Sequence, residues 1–454
     1  MSRRLRGGPS KVGVRGFAAL LACLGVGLIL GVVAQSAADP SPSFGGPTSY
    51  RAGRFAVSVA IGDLKGDGKP DLAAANAGAS AVSVLLNRGN GSFRTKRHYG
   101  TGQQPYSVAI GDLNGDDKPD LVTANSEPST VSVLLSRGKG TFRAKRDYRT
   151  GFDPRSLAIG DLNGDGKTDL TTANGAVDTV SVLLNTADGS FPVRHSYQTG
   201  FTPTSVAIGD LNGDRRADLA TADYSANAIS VFLNQGDGSF GSSHEYATGK
   251  APESVAIGDL NGDGKPDLAT TNSGDRTVSA LLNQGDGSFQ AKRDYVTGGP
   301  PFSVAIGDLN GDRRPDLATT NSGANAVSVF LNRGDGSFQA RSDYRTGGFD
   351  TRSVAIGDLN GDRRADLATA DFGANRVFVL LNATGICAVP NLKGTALPRA
   401  RRAIARAGCR VGKLRRVYSE TIKRGRVLSQ KPGFGAVLLN GGKVNLVISL
   451  GRNR

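Results

Sequence analysis

The chain is 454 residues long and carries a formal charge of +15, with three cysteines, three histidines and no tryptophan. The histidines, His98, His195 and His244, never stand at metal-ligand spacing from a cysteine, which excludes a zinc-type site. The charge is uneven: five basic residues precede residue 38, sixteen Lys/Arg against the single acid Glu420 lie from Cys387 onward, and the stretch between holds 34 basic and 39 acidic residues.

Residues 1–38 read as an export signal. Arg3, Arg4, Arg6, Lys11 and Arg15 precede an apolar run from Gly16 to Ala34, and Ser36-Ala37-Ala38 supply small residues for cleavage after Ala38. Uncut, the same run is nearly long enough to anchor the chain in a bilayer, and Leu20-Leu21-Ala22-Cys23 has the look of a lipoprotein box. Each reading places the bulk of the protein outside the cytoplasm. On an exported chain the basic tail points to an anionic wall polymer or membrane surface, not to nucleic acid.

An acidic nonapeptide then recurs seven times, clearest as Asp259-Leu260-Asn261-Gly262-Asp263-Gly264-Lys265-Pro266-Asp267. Its first aspartate falls at Asp63, Asp112, Asp161, Asp210, Asp259, Asp308 and Asp358, in steps of 49 and finally 50. Such a period marks one supersecondary unit stacked on itself. Within residues 254–297 the alternation predicts strands at Ser254–Ile257, Asp267–Thr271, Thr277–Leu282 and Phe289–Tyr295, the last after an Asp286-Gly287 turn. Four strands per repeat and seven repeats predict an all-β, seven-bladed β-propeller over residues 39–385. A phenylalanine precedes a tyrosine by six in each linker, and Phe44 and Tyr50 repeat that pair ahead of the first repeat. The seventh repeat stops near Asn382, after its third strand, so residues 43–50 are expected to complete the last blade and remove the open edges.

The string S-V-A-I-G-D-L-N-G-D-x-x-x-D-L-A-T, in register over residues 43–382, resembles the FG-GAP/VCBS repeats of integrin α subunits and many secreted bacterial proteins. Carboxylates at loop positions 1, 5 and 9, an amide at 3 and a carbonyl at 7 suit Ca²⁺, which takes roughly six to eight hard oxygens in irregular geometry. The expected ligands are Asp112, Asn114, Asp116 and Asp120; Asp161, Asn163, Asp165 and Asp169; Asp210, Asn212, Asp214 and Asp218; Asp259, Asn261, Asp263 and Asp267; Asp308, Asn310, Asp312 and Asp316; and Asp358, Asn360, Asp362 and Asp366. In the first repeat Asp63, Asp67 and Asp71 remain but Lys65 replaces the amide, so that site is expected to be empty or impaired. Position 6 is glycine at Gly166 and Gly264 in repeats 3 and 5 but Asp117, Arg215, Arg313 and Arg363 in repeats 2, 4, 6 and 7, where weaker binding or a different backbone path is expected. The basic side chain at position 7 is expected to face solvent. Up to one structural calcium per blade follows.

Strand order puts these loops on one face and the diverging 2–3 and 4–1 loops on the other. The second face would carry Tyr106, Phe152, Arg155, Phe201, Tyr224, Phe302, Phe349, Arg352 and Phe372 as a ligand surface for a glycan or protein, with packing between blades as the alternative. Integrin-type propellers bind ligands on the corresponding face.

Residues 386–454 change character. Thr395 is a candidate N-cap for a helix to Ala407 with Leu397, Ala400, Ile404 and Ala407 as its apolar stripe, and strands are predicted at Arg410–Tyr418, Val427–Gln430 and Val444–Ser449. The string V-P-x-L-x-G…A-G…Q-x-P-x-x-G…V-x-L is similar to a PASTA module, a small α+β domain associated with peptidoglycan. Cys387 and Cys409 are expected to form a disulfide in an oxidising compartment. Arg399, Arg401, Arg402, Arg406, Arg410, Arg415 and Arg416 add a charge-based reason to adhere to wall polymers. The sequence thus reads as a secreted, calcium-stabilised binding protein held at the cell wall, not an enzyme; the alternative is an extracellular polysaccharide hydrolase or lyase on the same scaffold. Along the repeat, no nucleophile or acid–base constellation breaks the symmetry.

Overall fold

Strict alternation of apolar and small polar residues gives each repeat two usable faces, and both are buried by making the sheets stand side by side around an axis. The computed structural model describes residues 41–383, 386–439 and 442–452. The expected leader and its cleavage point lie outside them. Seven four-stranded antiparallel sheets are present among the described residues. The fifth is representative: Pro252–Gly258, Asp267–Asn272, Thr277–Leu281 and Arg293–Val296 pair in chain order from the axis outward. The outer strand starts at Arg293, not at Phe289, whose backbone instead bridges Asn283 at the hairpin.

The ring closes as expected. Thr48–Arg51 adds antiparallel to Arg376–Leu380, with Thr48 opposite Val379 and Arg51 opposite Arg376, and Phe44 bridges Asn382. The hydrophobic cores lie between blades, not within them. Ala56, Val59 and Leu72 of the first blade pack with Ala368, Ala370, Val377 and Val379 of the seventh, and six further clusters repeat this at the other interfaces.

The S-V-A-I-G string is explained by contacts to the next blade. Each serine Oγ accepts the backbone N–H of the residue that follows the next blade's own serine: Ser58 from Val108, Ser107 from Leu157, and so on to Ser353 from Val59, all at 3.2–3.3 Å. Each terminal glycine lets the next blade's isoleucine approach; a Cβ there would lie 2.4–3.2 Å from the isoleucine side chain in all seven blades. The linker aromatics also work across blades. Seven tyrosines meet the phenylalanine of the neighbouring repeat edge-on at 4.9–5.4 Å between centroids, from Tyr50–Phe93 round to Tyr344–Phe44.

The C-terminal segment has one helix, Leu397–Arg406, against a three-stranded sheet of Arg410–Val417, Lys443–Ser449 and Val427–Lys431 in that order. Ala400 and Ile404 of the helix are buried with Leu392, Val427, Val444, Leu446 and Ile448. The Cys387–Cys409 disulfide is formed and ties the leading strand to the end of the helix. Thr395 is not the cap. Ala396 occupies the N-cap without a side-chain bond, Pro398 fixes the first turn, and the Thr395 N–H donates to the Leu392 carbonyl. No helix among the described residues is long and apolar enough to cross a membrane.

Two outcomes follow. Gly209→Ala drives a Cβ to 2.9 Å from Ile257 Cγ2, so thermal melting should report a loss of about 1–3 kcal/mol; the Gly209→Ala/Ile257→Ala pair should lose less than the sum of the singles. Asp223 is fully buried where five other blades carry Asn76, Asn125, Asn174, Asn272 or Asn321, and burial pushes its carboxyl up to about 7. The folded state therefore holds a proton that the unfolded chain releases near pH 4. Stability from this group is full below about pH 4 and is lost as pH rises to about 7. Asp223→Asn should melt close to wild type at pH 4 and clearly higher at pH 8.

Candidate functional site

Every acidic loop has the same internal wiring. The position-1 carboxylate accepts the N–H of position 4 through Oδ1 at 2.7–2.9 Å and that of position 6 through Oδ2 at 2.5–2.8 Å, in all seven blades. Position 6 takes a positive φ throughout: 58° at Asp117, 67° at Arg215, 69° at Arg313 and 65° at Arg363, beside 77° at Gly166 and 81° at Gly264. The expected different path for the non-glycine loops is therefore not taken; they follow the glycine path at a strain cost of about 1 kcal/mol each.

The position-9 aspartate is buried in every blade. In blades 2 to 7 its Oδ2 accepts the N–H of the position-2 leucine and its Oδ1 the N–H of the residue ending the third strand, as Asp267 does with Leu260 and Asn283. This carboxylate stitches the loop to the hairpin beside it, a reason for its presence that sequence spacing did not reveal. That hairpin asparagine in turn donates to the neighbouring blade's leucine carbonyl, as Asn283 does to Leu211.

The position-7 side chains do not simply face solvent. Lys118, Lys167 and Arg364 pair with the position-5 carboxylates Asp116, Asp165 and Asp362 at 2.9–3.1 Å, whereas Arg216 and Lys265 donate to the Gln235 and Gln284 carbonyls.

The donor set suits a hard cation. Burial pushes the position-9 carboxyl up to about 6 at Asp120, Asp218 and Asp267 and to about 7 at Asp316 and Asp366; backbone bonds pull it back, and the carboxylates at positions 5 and 1 add to the rise. A cation held among the three would remove that penalty. Among the described residues no three acidic, imidazole or thiolate groups converge at ligand distance.

Blade 1 does not fit. Lys65 Nζ, 14% exposed, sits 2.7 Å from Asp67 and bonds the Asn87 carbonyl, and its charge acts on Asp71. An ammonium already occupies that loop.

The opposite face is built from the 2–3 and 4–1 loops. Phe152, Phe201 and Phe349 stand there about two-thirds exposed, and Tyr106 and Tyr224 are exposed to a lesser degree. Phe302 and Phe372 are half-buried: the Arg352 guanidinium lies 4.1 Å above the Phe302 ring and 5.4 Å from Phe372, which stacks on Phe55 at 4.5 Å. The packing alternative thus holds for Phe302 and Phe372, while Phe152, Phe201 and Phe349 stay in solvent. Arg155 is exposed and pairs with Asp153, as Arg352 does with Asp350, both at 2.8 Å.

Glu253 was missed, although Tyr106, Arg155, Phe302 and Arg352 of the same column were named. Just ahead of the shared serine, each inner strand carries a different side chain: Val57, Tyr106, Arg155, Thr204, Glu253, Phe302 and Arg352. Burial raises the Glu253 carboxyl, and both Arg352 and Arg155 act on it electrostatically. Those arginines hold the same inner-strand register position two blades away on either side. The repeat symmetry is broken there, on the face where divergence is expected. Reading down this column, and not along one repeat, is the signal that finds Glu253.

The FG-GAP-like repeat profile matches six overlapping stretches: 63–123, 113–172, 161–221, 210–270, 259–319 and 308–369. The chain belongs to the FG-GAP-like repeat family. A PASTA domain matches residues 388–450. Solved structures similar to this FG-GAP chain include BBS1N in complex with ARL6DN (13% identity, TM-score 0.54, 75% of this chain and 96% of that one). A streptogramin B lyase (15%, 0.51, 74% and 97%) and a catalytically inactive virginiamycin B lyase from Staphylococcus aureus with quinupristin (12%, 0.53, 74% and 99%) are also similar. At these identities the likeness is one of fold. No curated protein matches the FG-GAP chain.

In the PASTA domain Arg399, Arg401, Arg402, Arg406, Arg410, Arg415 and Arg416 are all exposed. The domain's only acid, Glu420, pairs with Arg452 at 3.5 Å and leaves the arginine surface uncompensated.

For the FG-GAP loops, EDTA is expected to lower the melting temperature of the calcium-equilibrated protein, and Lys65→Asn to raise bound calcium by one per chain in equilibrium dialysis. A melt indifferent to EDTA would refute a structural cation.

Proposed function

We propose that this is an exported binding protein, held at the cell wall by its PASTA domain, whose propeller recognises a glycan or protein through the 2–3 and 4–1 loop face. One observation carries the reading. Inner strands and acidic loops repeat almost unchanged around the ring, while the residues on that face diverge and leave Phe152, Phe201 and Phe349 in solvent. Exposed aromatic rings on a rigid scaffold are the usual anchors of a recognition surface. Calcium fits the same reading as a structural cation in blades 2 to 7, held by the carboxylates at positions 1, 5 and 9, the amide at 3 and the carbonyl at 7. It would neutralise the loops without taking part in recognition.

The PASTA arginines and the disulfide support an extracellular, wall-associated site of action. An extracellular polysaccharide hydrolase or lyase is the second reading, favoured by Glu253, whose burial raises its carboxyl while Arg352 and Arg155 act on it electrostatically. Release of sugar ends by the purified protein, abolished in Glu253→Gln, would establish it.

Co-sedimentation of residues 39–454 with purified cell walls, in calcium at low and high salt, tests the main reading. Replacing Arg399, Arg402 and Arg406 with serine should abolish most pelleting at low salt. Phe152→Ala/Phe201→Ala/Phe349→Ala should leave pelleting intact while removing capture of the propeller's ligand. Pelleting unchanged by the arginine substitutions would overturn the wall-anchor role.

A further inference from the structure

The axial mouth on the variable face has a makeup that the rest of the molecule lacks. Arg352 is pinned behind by Asp350, which also accepts the Ser322 hydroxyl at 2.7 Å, and the guanidinium rests on the Phe302 ring. Its Nε is buried without a hydrogen-bond partner, a donor left unspent at a cost proteins rarely tolerate. Arg155 is pinned in the same way by Asp153, which accepts the Ser126 hydroxyl at 2.6 Å. Glu253 holds the same register position two blades from each, bonded by Ser273 Oγ at 3.3 Å and joined by no ion pair to either arginine among the described residues.

We propose that this mouth, between Arg155, Glu253 and Arg352, binds a neutral pyranose ring of a glycan. The proposal rests on the reading of this face as the recognition face and names the ligand class it takes.

The charge balance decides against an anion. Asp153 and Asp350 already pair the two arginines and Glu253 adds a third carboxylate, so a polyanion or acidic peptide would meet carboxylates already in place. What the site offers instead is fixed N–H donors, one carboxylate acceptor and apolar rings, namely Phe302 beside Arg352 and Tyr106 on the same ring of positions. A pyranose matches this mixture: hydroxyls around its edge take donors and acceptors, and its C–H face lies against an aromatic ring. The sequence Gly-Phe-Asp-x-Arg-Ser occurs at both Gly151–Ser156 and Gly348–Ser353. Each copy therefore adds an exposed phenylalanine, Phe152 or Phe349, to the loop that pins its arginine, and a longer chain could leave the mouth across either.

Saturation-transfer NMR and calorimetry on residues 39–454 in calcium, against gluco-, manno-, xylo- and chito-oligosaccharides with oligogalacturonate as the acidic control, test this. The expected result is binding of a neutral oligosaccharide, weakened by about tenfold or more in Glu253→Gln and in Arg352→Lys, with melting temperatures near wild type. Preference for oligogalacturonate, or neutral-sugar binding indifferent to both substitutions, overturns the axial site. If Phe152→Ala/Phe201→Ala/Phe349→Ala alone abolishes that binding, the face still recognises glycan and only the axial site fails. Wild type binding none of the neutral sugars overturns the axial proposal, while wall capture by the same face would preserve the function.

Discussion

Each blade is completed by the one beside it. A serine hydroxyl at the axis accepts the next blade's N–H, a glycine makes room for the next blade's isoleucine, and an outer tyrosine meets the next repeat's phenylalanine. With the apolar clusters seated at the interfaces, a lone repeat would leave one face of its sheet in water. This constraint explains why the chain repeats so faithfully: a change at any of these positions is felt in two blades. It also explains why Thr48–Arg51 must return to the seventh sheet, since an open ring would expose one unpaired edge and one unfilled interface.

The scaffold divides the labour between two ends of the ring. On one, the acidic loops use the same wiring in every blade and differ mainly in the source of positive charge, which is Lys65 inside the first loop and a basic position-7 side chain beside the others. Loop chemistry there serves the architecture: Asp267 and its counterparts hold loop and hairpin together through backbone N–H groups. On the other end, fixed strand geometry presents side chains that need not match. Sevenfold regularity thereby builds an asymmetric surface.

Much of this was legible before any coordinates. The period and the alternation determine the blades, and the displaced Phe44/Tyr50 pair reveals the closing strand, because both depend on local pattern alone. Less was legible where a residue's role lies in another blade. Nothing along one repeat says that Ser254 bonds Val304 or that Gly258 yields to Ile306. Glu253 escaped notice because Arg155 and Arg352, which act on it electrostatically, are about a hundred residues away on either side. Arg215 and its counterparts at position 6 were misjudged because propensity disfavours positive φ, whereas the carboxylate bond to that N–H holds it there. The helix start was displaced by one residue because Pro398 and the chain turn, not the Thr395 hydroxyl, define it.

The closing strand has a mechanical consequence. Thr48 lies opposite Val379 and Arg51 opposite Arg376, so the two chain segments leaving the propeller depart from the same end of one antiparallel pair. A pull between them does not shear the four residue pairs at once; it peels the strands open one hydrogen bond at a time, starting at Phe44 and Asn382. Force applied through the chain ends would therefore be felt first by the seventh blade, which would act as a tension-sensitive clasp while the other six keep their shape.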